Sequence, residues 1–369
     1  MIDCDVHNAW TSAEVLLPYL SPAWREYLAR GEVPGPRGAF PHAHRPWLHP
    51  EGFMRYDAIP ADGSNPGSDL VLMQEQLLDR YEVDFSILTG DEAIEASTLA
   101  NPYYAQALVS AYNDWMVAEW LPRDDRLRGS LVIAPQDPDG SAAEIRRLGD
   151  HSRIVQVLAS SGSQRPYGDP FFHPIWEACA EMGLPFAIHL GGQGGLNSNP
   201  IGCGPTTFFW ETHALLCETG MAHLASTIAH GVFEKWPSMR FVMVECGVAW
   251  VPPILWRLDE DYRALRKETP WLKRLPSEYA RDHIRMTTQP LEQPRSPAAL
   301  WPALEDIGAQ DMLMFASDYP HWDFEDPTFV RIPAAWRNQV FDGNARATYT
   351  RLPARVDDAD EGVLAGELG

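Results

Sequence analysis

The sequence predicts an α/β protein folded as a (β/α)8 barrel, the TIM-like arrangement in which each of eight parallel strands is followed by a helix. Three observations predict this class: eight short apolar runs alternate with amphipathic stretches, ionisable residues stand where several of these runs end, and two long Pro- or Gly-rich segments interrupt the alternation. The expected strands are 2–7, 84–88, 127–133, 154–158, 185–189, 240–245, 283–287 and 312–316.

The amphipathic stretches between these runs predict the helices of the barrel. They are 70–81, 103–120, 142–148, 174–182, 212–235, 251–265 and 297–307. The alternative fold is an open, doubly wound sheet, which normally carries a Gly-rich phosphate loop after an early strand. Here the first strand ends in Asp5 and His7 with no GxGxxG motif behind it, which favours the barrel.

The length of 369 residues exceeds what a minimal barrel of about 250 residues needs, and two insertions account for the excess. Residues 8–68 are rich in Pro, Gly, Trp and His, and residues 191–210 are rich in Gly, Asn and Pro. Each insertion follows a strand directly, so both should lie at the C-terminal face, where barrel active sites are built. We expect one barrel domain over residues 1–352 and an acidic, mobile tail over 353–369.

Charge and cysteine content narrow the functional class. The chain has 29 basic and 51 acidic residues, a net charge of −22, which argues against nucleic-acid partners and anionic membrane surfaces. The five cysteines are scattered without a CxxC pair, so neither a disulfide scaffold nor a zinc knuckle is indicated. The N-terminus has no signal-peptide pattern, and no apolar run reaches the roughly 20 residues of a membrane span. We expect a cytoplasmic protein that acts on a small-molecule substrate.

Ionisable residues close four of the eight predicted strands. Asp5 and His7 alternate at the end of the first strand, where they could share a metal ion or form a buried hydrogen-bonded pair. His189 ends the fifth strand ahead of two glycines, Glu245 ends the sixth and Asp318 follows the eighth. Burying an unpaired carboxylate there costs free energy unless a cation binds it. Metal binding is therefore the simplest explanation for these strand-end residues taken together.

These residues resemble the metal ligands of the amidohydrolase superfamily: Asp5-x-His7 on the first strand, His189 on the fifth and Asp318 on the eighth. The resemblance runs from Met1 to about residue 352 and is strongest to the amidohydrolase-related branch, which includes aminocarboxymuconate semialdehyde decarboxylase and the resorcylate decarboxylases. Three further stretches carry it: residues 168–192, the SDYPH segment at 317–321 and FDGNARATY at 341–349. It implies one or two divalent metal ions and a homodimer.

The sequence departs from that family in three respects. The usual HxH of the superfamily is Asp5-x-His7 here, and Glu245 stands where the decarboxylases carry a catalytic histidine. The fourth strand, IVQVLASS, has no lysine for a carbamylated bridge between two metals. The resulting site is rich in oxygen ligands, which suits zinc, iron or manganese.

The leading hypothesis is metal-assisted hydrolysis of a small organic substrate. Asp5, His7, His189 and Asp318 would hold the ion that activates a water, and Asp318 would take the proton of that water. Glu245 would act as a second base or as a ligand of a second metal. The alternatives are a diiron oxygenase on the same fold, which would need a reductase partner, and nonoxidative decarboxylation of an aromatic or muconate acid. A binding protein without catalysis would leave the strand-end residues unexplained.

Other residues are second-rank candidates. His213 lies at the start of a predicted helix and is a further catalytic candidate, whereas His223 and His230 lie farther along it. For substrate binding we expect four residues, with an Arg–Asp structural pair as the alternative for the arginine: Arg285, Gln289, His321 and Trp322. A second HxH at residues 42–44 lies in a Pro-rich loop and is interpreted as solvated loop in preference to a metal site.

Overall fold

Eight parallel strands form the centre of the molecule, seen in a computed structural model that describes residues 1–29, 54–90, 92–96, 99–192, 199, 202, 204, 206–215 and 217–353. The strands are β1 (Ile2–Val6), β2 (Phe85–Leu88), β3 (Leu127–Val132), β4 (Ile154–Ser160), β5 (Phe186–His189), β6 (Phe241–Val244), β7 (Ile284–Thr287) and β8 (Leu313–Met314). Each coincides with one of the eight predicted strands, so the predicted barrel is confirmed.

The helices surround these strands. They are α1 (Pro22–Ala29), α2 (Leu70–Met73), α3 (Glu92–Glu95), α4 (Pro102–Trp115), α5 (Pro138–Leu148), α6 (His173–Met182), α7 (Phe209–Leu215), α8 (Cys217–Ala229), α9 (Val232–Lys235), α10 (Val251–Leu265), α11 (Pro276–His283), α12 (Trp301–Asp306) and α13 (Asn344–Thr348). A wider turn prolongs α2 through Gln74–Leu78 and α4 through Met116–Trp120.

The strands pair in sequence order from β1 to β8, and every pair is parallel. The residues after β8 close the ring against β1. The Cys4 amide donates to the Phe315 carbonyl at 2.9 Å, and the Asp318 amide donates to the Asp5 carbonyl at 3.1 Å. The carboxyl ends of all eight strands therefore meet at one face, which is the face that positions a barrel active site.

Burial on both faces explains why the strands read as apolar runs. Every residue of β3, β4, β5, β6 and β7 is buried, as expected for parallel strands covered by helices. One apolar cluster takes members from six different strands, among them Ile2, Ile87, Val155, Ala187 and Met314. Residues on opposite sides of a ring can meet only inside it, so this cluster fills the barrel.

The helix predictions need correction: one predicted helix is divided, and α1, α3, α11 and α13 were not predicted. The helix expected over 212–235 is divided into α7, α8 and α9, and α8 gives way to α9 at Gly231, whose φ is +70°. A Cβ at Gly231 would lie 2.5 Å from the Trp271 ring, so only glycine fits this turn. The helix α11 has no predicted counterpart, although Glu278 accepts a hydrogen bond from the Leu275 amide in the manner of a capping box.

The described part of the first insertion lies against the loop after β8. Met54 pairs with His321 in an antiparallel bridge, and the guanidinium of Arg55 lies 4.5 Å from the centre of the Phe324 ring. Gly67, with φ +80°, approaches the carbonyl of His7 so closely that a Cβ would stand 2.4 Å from its oxygen. This segment therefore lies at the carboxyl face, as predicted for an insertion there.

Several predictions fall on residues outside the described ranges. These are residues 30–53 of the first insertion, including the HxH at 42–44, half of the second insertion, and the tail beyond residue 353. The division into one barrel domain and a tail stays a prediction. Within the described ranges, no helix is both long and apolar enough to cross a membrane.

Candidate metal centre

Five of the predicted site residues converge at the carboxyl end of the barrel. Asp5 is in β1 and His7 follows it, His189 ends β5, Glu245 follows β6 and Asp318 lies four residues beyond β8. All five are at least nine-tenths buried. One ligand atom from each of Asp5, His7, His189 and Glu245 can be chosen so that all four lie within 4.8 Å of one another.

Backbone carbonyls orient the two buried imidazoles. Nδ1 of His7 donates to the carbonyl of Gly90, and Nδ1 of His189 donates to the carbonyl of Leu190 at 2.7 Å. A carbonyl oxygen can only accept, so each Nδ1 carries its proton and each Nε2 faces the cluster. This is the usual way in which a protein presents a metal-ligating histidine.

The two carboxylate oxygens of Asp5 differ: one accepts a hydrogen bond, and the other has no partner among the described residues. Its Oδ1 accepts a hydrogen bond of 2.6 Å from the hydroxyl of Thr89, which directly follows β2. Its Oδ2 lies 3.4 Å from Nε2 of His189, and neither atom has a hydrogen-bond partner among the described residues. Buried polar atoms without partners are costly in a folded protein, so these two indicate a ligand between them.

Asp318 is arranged in the same way. Its Oδ1 accepts from Nε2 of His7 at 2.9 Å and from Nδ1 of His321 at 2.7 Å. Its Oδ2 is buried and has no partner within the described part of the chain. The His321 ring also packs on the His7 ring, with centres 4.1 Å apart. His321, predicted to bind substrate, is thus placed as a neighbour that positions Asp318.

The cluster attracts positive charge. Burial and the neighbouring His321 lower the pKa of His7, but the carboxylates of Asp5 and Asp318 outweigh them and raise this pKa to about 9. Burial also lowers the pKa of His189, but the Asp5 and Glu245 carboxylates raise it overall. The pKa of Asp5 is raised by burial, yet the facing His189 and His7 lower it to about 2. The protons that His7 and His189 retain supply the positive charge that a divalent cation would bring to these carboxylates.

The donor set fits a divalent metal ion. Two ligands about 2.1 Å from a tetrahedrally coordinated ion lie about 3.4 Å from each other. The observed Asp5–His189 distance is 3.4 Å, and Asp5 Oδ1 lies 3.6 Å from Nε2 of His7. Mixed carboxylate and imidazole ligands suit zinc, iron or manganese. The partnerless oxygens of Asp5 and Asp318 are the atoms that such an ion would satisfy.

A second group of ionisable residues adjoins the first. His213, near the end of α7, lies between Glu245 and Asp323, and one ligand atom from each of these three residues can be chosen so that all three lie within 4.8 Å of one another. The His213 side chain is 20% exposed, so this group faces the mouth of the barrel. The predicted substrate residue Trp322 lies at the rim, half exposed, and its ring forms a T-shaped contact with the His213 ring, with centres 5.9 Å apart.

Arg285, expected from the sequence to bind substrate at the carboxyl face, does not lie there. Arg285 is the second residue of that strand, and its Nη1 donates to the carbonyl of Ile284 at 2.7 Å. Its guanidinium lines a basic cavity of about 750 Å³ with Arg240 and Arg274, near the amino ends of β6 and β7. A side chain that leaves the beginning of a strand cannot reach a substrate at the other end of the barrel.

Gln289 does lie at the carboxyl end, beyond β7. The residue is buried, and its Nε2 donates to the Asp323 carbonyl at 3.4 Å. Its Oε1 has no hydrogen-bond partner among the residues that the structure describes. The expected role of Gln289 in holding substrate is compatible with this position and stays a prediction.

Two residues of the centre had no assigned role in the sequence. Thr89 donates a hydrogen bond to Asp5. The sequence could have indicated it, because this threonine directly follows the second predicted strand. Asp323 is the third member of the second group and lies five residues after Asp318 in the SDYPHWD segment. It reaches the site because the chain turns after Asp318, which the sequence does not reveal. His223, by contrast, is structural: its Nδ1 accepts from the Tyr167 amide and its Nε2 donates to a backbone carbonyl.

Comparison with known proteins identifies similar chains. The gamma-resorcylate decarboxylase of Rhodococcus jostii RHA1 is 28% identical over 203 residues, which cover 52% of this chain and 60% of that enzyme. The match thus spans less than two thirds of that relative's length. The solved 5-carboxyvanillate decarboxylase of Sphingomonas paucimobilis is 24% identical, with a TM-score of 0.64 over 95% of this chain and 98% of the other.

A second solved structure shares the fold at similar distance. It is a 5-carboxyvanillate decarboxylase of Novosphingobium aromaticivorans complexed with manganese and 4-hydroxy-3-methoxy-5-nitrobenzoic acid. This enzyme is 22% identical, with a TM-score of 0.65 over 95% of this chain and 96% of the other. The family model described as amidohydrolase matches residues 2–351, so the chain belongs to the amidohydrolase family, in the branch that its sequence resembles.

Proposed function

We propose that this protein is a metal-dependent enzyme that removes carbon dioxide from a hydroxylated aromatic carboxylic acid. The observation that carries the proposal is the buried centre of Asp5, His7, His189 and Asp318, with its partnerless oxygens at the face where barrels bind substrates. The similar proteins named above are decarboxylases of resorcylate and carboxyvanillate. They favour this alternative over the hydrolysis that the sequence alone put first.

The residues of the first group would hold one divalent ion. Its proposed ligands are Asp5, His7 and His189, which belong to one ligand group, and Asp318, which shares a second group with His7. Manganese is the ion in the Novosphingobium relative. When bound, such an ion supplies positive charge that stabilises oxygen anions on a bound substrate. The four ligand positions come from β1, β5 and the segment after β8, so the barrel itself fixes their spacing.

Asp318 is the proposed proton carrier. Decarboxylation breaks the bond between the ring carbon and the carboxylate, leaves its electron pair on the ring and requires a proton at that carbon. Asp318 accepts a hydrogen bond from Nδ1 of His321, whose side chain is 14% exposed. His321 can therefore pass a solvent proton to Asp318, which hands it to the ring carbon.

The rim of the site suits an aromatic substrate. Trp322 is 55% exposed, so part of its ring is available to an aromatic substrate that enters the barrel. Gln289 offers a buried amide oxygen at the same end of the barrel. These two residues would orient the substrate ring, whereas Arg285 plays no part because it lies at the opposite end.

The test is decarboxylation of a panel of ortho-hydroxybenzoates by the manganese-loaded full chain in deuterated water. We expect one carbon dioxide for each substrate consumed and one deuterium at the ring carbon that carried the carboxylate. Asp318→Asn should abolish both, whereas Asp326→Asn, a matched change on the same loop, should not. Absence of carbon dioxide from every member of the panel with metal-loaded protein would overturn the proposal.

Hydrolysis is the second candidate, favoured by the amidohydrolase family match and by the Asp318–His321 pair, which could equally take a proton from water. Release of an acid from esters, lactones or amides without carbon dioxide would establish it. Incorporation of labelled oxygen from water into that product would separate it from the oxygenase alternative, which incorporates oxygen from O2.

A further inference from the structure

Glu245 faces two groups of ligands at once. Its Oε2 lies 3.6 Å from Nε2 of His189, in the first group, and its Oε1 lies 3.6 Å from Nε2 of His213, in the second. The side chain is only 6% exposed. A buried carboxylate whose two oxygens point to different imidazoles has the geometry of a bridge between two cations.

The second group has the spacing of metal ligands. Nε2 of His213 lies 3.5 Å from Oδ2 of Asp323 and 3.6 Å from Oε1 of Glu245. Both distances are close to the value of about 3.4 Å between ligands of a tetrahedral ion. One ligand atom from each residue lies within 4.8 Å of the other two, so the three residues surround a point that a cation could occupy.

Imidazoles are the basic side chains that form ion pairs with the carboxylates of this group. Glu245 lies near His189 and His213, Asp323 lies near His213, and no lysine or arginine in the described ranges forms an ion pair with either carboxylate. Buried carboxylates are costly unless positive charge lies beside them, and a divalent ion among these ligands would supply it.

The backbone is arranged to place Glu245 between the groups. Glu245 has φ +58°, a left-handed conformation that is unfavourable for a residue with a side chain, and Thr287 holds it by accepting from its amide at 2.8 Å. Asp318 has the same unusual conformation, with φ +59°. Such backbone conformations are retained where the direction of a side chain matters for function.

We propose that the protein holds a second divalent cation, bound by His213, Asp323 and Oε1 of Glu245, with Glu245 bridging it to the first. The inference rests on the proposed metal centre at Asp5, His189 and their neighbours, but not on the decarboxylation reaction. The second cation would lie nearer the mouth of the barrel, beside Trp322, where it could contact an oxygen of the substrate. Its ligands suit manganese, iron or zinc.

The test is the metal content of the full chain after reconstitution with Mn²⁺ and removal of loosely bound ion, measured by mass spectrometry. We expect two ions per chain in the wild type and one in His213→Asn and in Asp323→Asn. The control His230→Asn, at an exposed histidine just beyond α8, should keep two. The paramagnetic resonance spectrum of the wild type should show an exchange-coupled pair, which both site variants lose.

One ion per chain in the wild type would overturn the inference, and this measurement needs no variant to fold. Two ions in both site variants, with a coupled spectrum retained, would also overturn it. The outcome is separable from the proposed function. Two ions without decarboxylation would reject only the reaction, whereas decarboxylation with one ion would reject only the second site. Two irons with oxygen uptake in the presence of a reductant would support the second site and replace decarboxylation by oxygenation.

Discussion

The two ends of the barrel bury charge in opposite ways. At the carboxyl end, Asp5 and Asp318 each keep a buried oxygen without a partner among the described residues. At the amino end, Nη1 of Arg285 donates to three backbone carbonyls and Nη1 of Arg240 donates to two, although the buried Nε of each has no hydrogen-bond partner among the described residues. The same eight strands thus carry buried carboxylate oxygens without a partner at one end and guanidinium groups that donate to backbone carbonyls at the other.

This difference separates a region built for a ligand from one built for stability. A carbonyl-bound guanidinium needs no further molecule, although burial and the adjacent Arg240 lower the pKa of Arg285 to about 10. A partnerless buried carboxylate needs a cation. Barrel enzymes generally show this division, with chemistry at the carboxyl face and stabilising contacts at the amino face. Variants at the two ends of this barrel test whether the division holds in this protein.

The largest effect is expected for Asp318→Asn. The amide keeps the shape of the side chain but removes its charge, one metal ligand and the proposed proton carrier. A loss of several kcal/mol of transition-state stabilisation corresponds to a decrease of about 1000-fold or more in kcat/KM. Steady-state kinetics and metal analysis of the variant, beside the control Asp326→Asn, measure it. Retention of full activity and metal would remove Asp318 from the centre.

A smaller loss is expected for Thr89→Val, which is nearly isosteric. The hydroxyl of Thr89 orients Asp5 through the 2.6 Å hydrogen bond. Neighbours that orient metal ligands typically contribute about 10- to 100-fold in metal affinity. Competition titration with a chelator should show this loss. Thr227→Val, at a buried threonine of α8, is the control, and an equal decrease in both variants would point to a general packing defect.

A change at the rim should be milder. Trp322→Ala removes an exposed aromatic face and should raise KM about fivefold, since aromatic contacts contribute about 1 kcal/mol. The metal content and kcat should change little. Measurement of kcat and KM separately decides the outcome. A decrease in kcat at constant KM would place Trp322 in the chemistry and contradict a role in binding alone.

The amino end should respond in stability only. Arg285→Met leaves three carbonyls without their donor and should lower the free energy of unfolding by about 1–3 kcal/mol. Urea denaturation measures this loss. Metal content and kcat/KM of the folded variant should match the wild type. A selective loss of activity without loss of stability would break the division between the two ends.

His223 gives the stability of the protein a pH dependence that is independent of the metal centre. Burial lowers the pKa of this residue to about 4, whereas the unfolded chain takes up the proton near pH 6.5. Stability should therefore fall by up to about 3 kcal/mol as the pH decreases from 6.5 to 4. The dependence should be weaker in His223→Gln and unchanged in His230→Asn. Equal slopes in all three proteins would contradict this assignment.

Much of the fold could be predicted because buried parallel strands have a simple signature. All eight strands were found as short apolar runs, and Asp5, His189, Glu245 and Asp318 were found because they end such runs. The strand bounds did not place the Arg285 side chain: the predicted strand 283–287 ends where β7 ends, and only the contacts of the folded chain show which end of the barrel the guanidinium reaches. Here the strand ends at Thr287, and the guanidinium is held near its beginning.

The remaining site residues depend on turns that no short pattern reveals. Asp323 reaches Glu245 only because the chain turns back after β8, where the His321 amide donates to the Asp318 carbonyl at 2.8 Å. The direction of His213 depends on α7 ending before α8, which a continuous helical pattern does not predict. Local sequence therefore identifies the first ligand group, whereas the second requires the tertiary structure.

The central claim is that the carboxyl end of the barrel is a metal centre, and anomalous X-ray diffraction tests it most directly. Crystals of the Mn²⁺-loaded full chain should be measured on both sides of the manganese absorption edge. We expect an anomalous peak among Asp5, His189 and Asp318, and a second peak between His213 and Asp323. No peak among the first three residues, in crystals that contain manganese elsewhere, would contradict it.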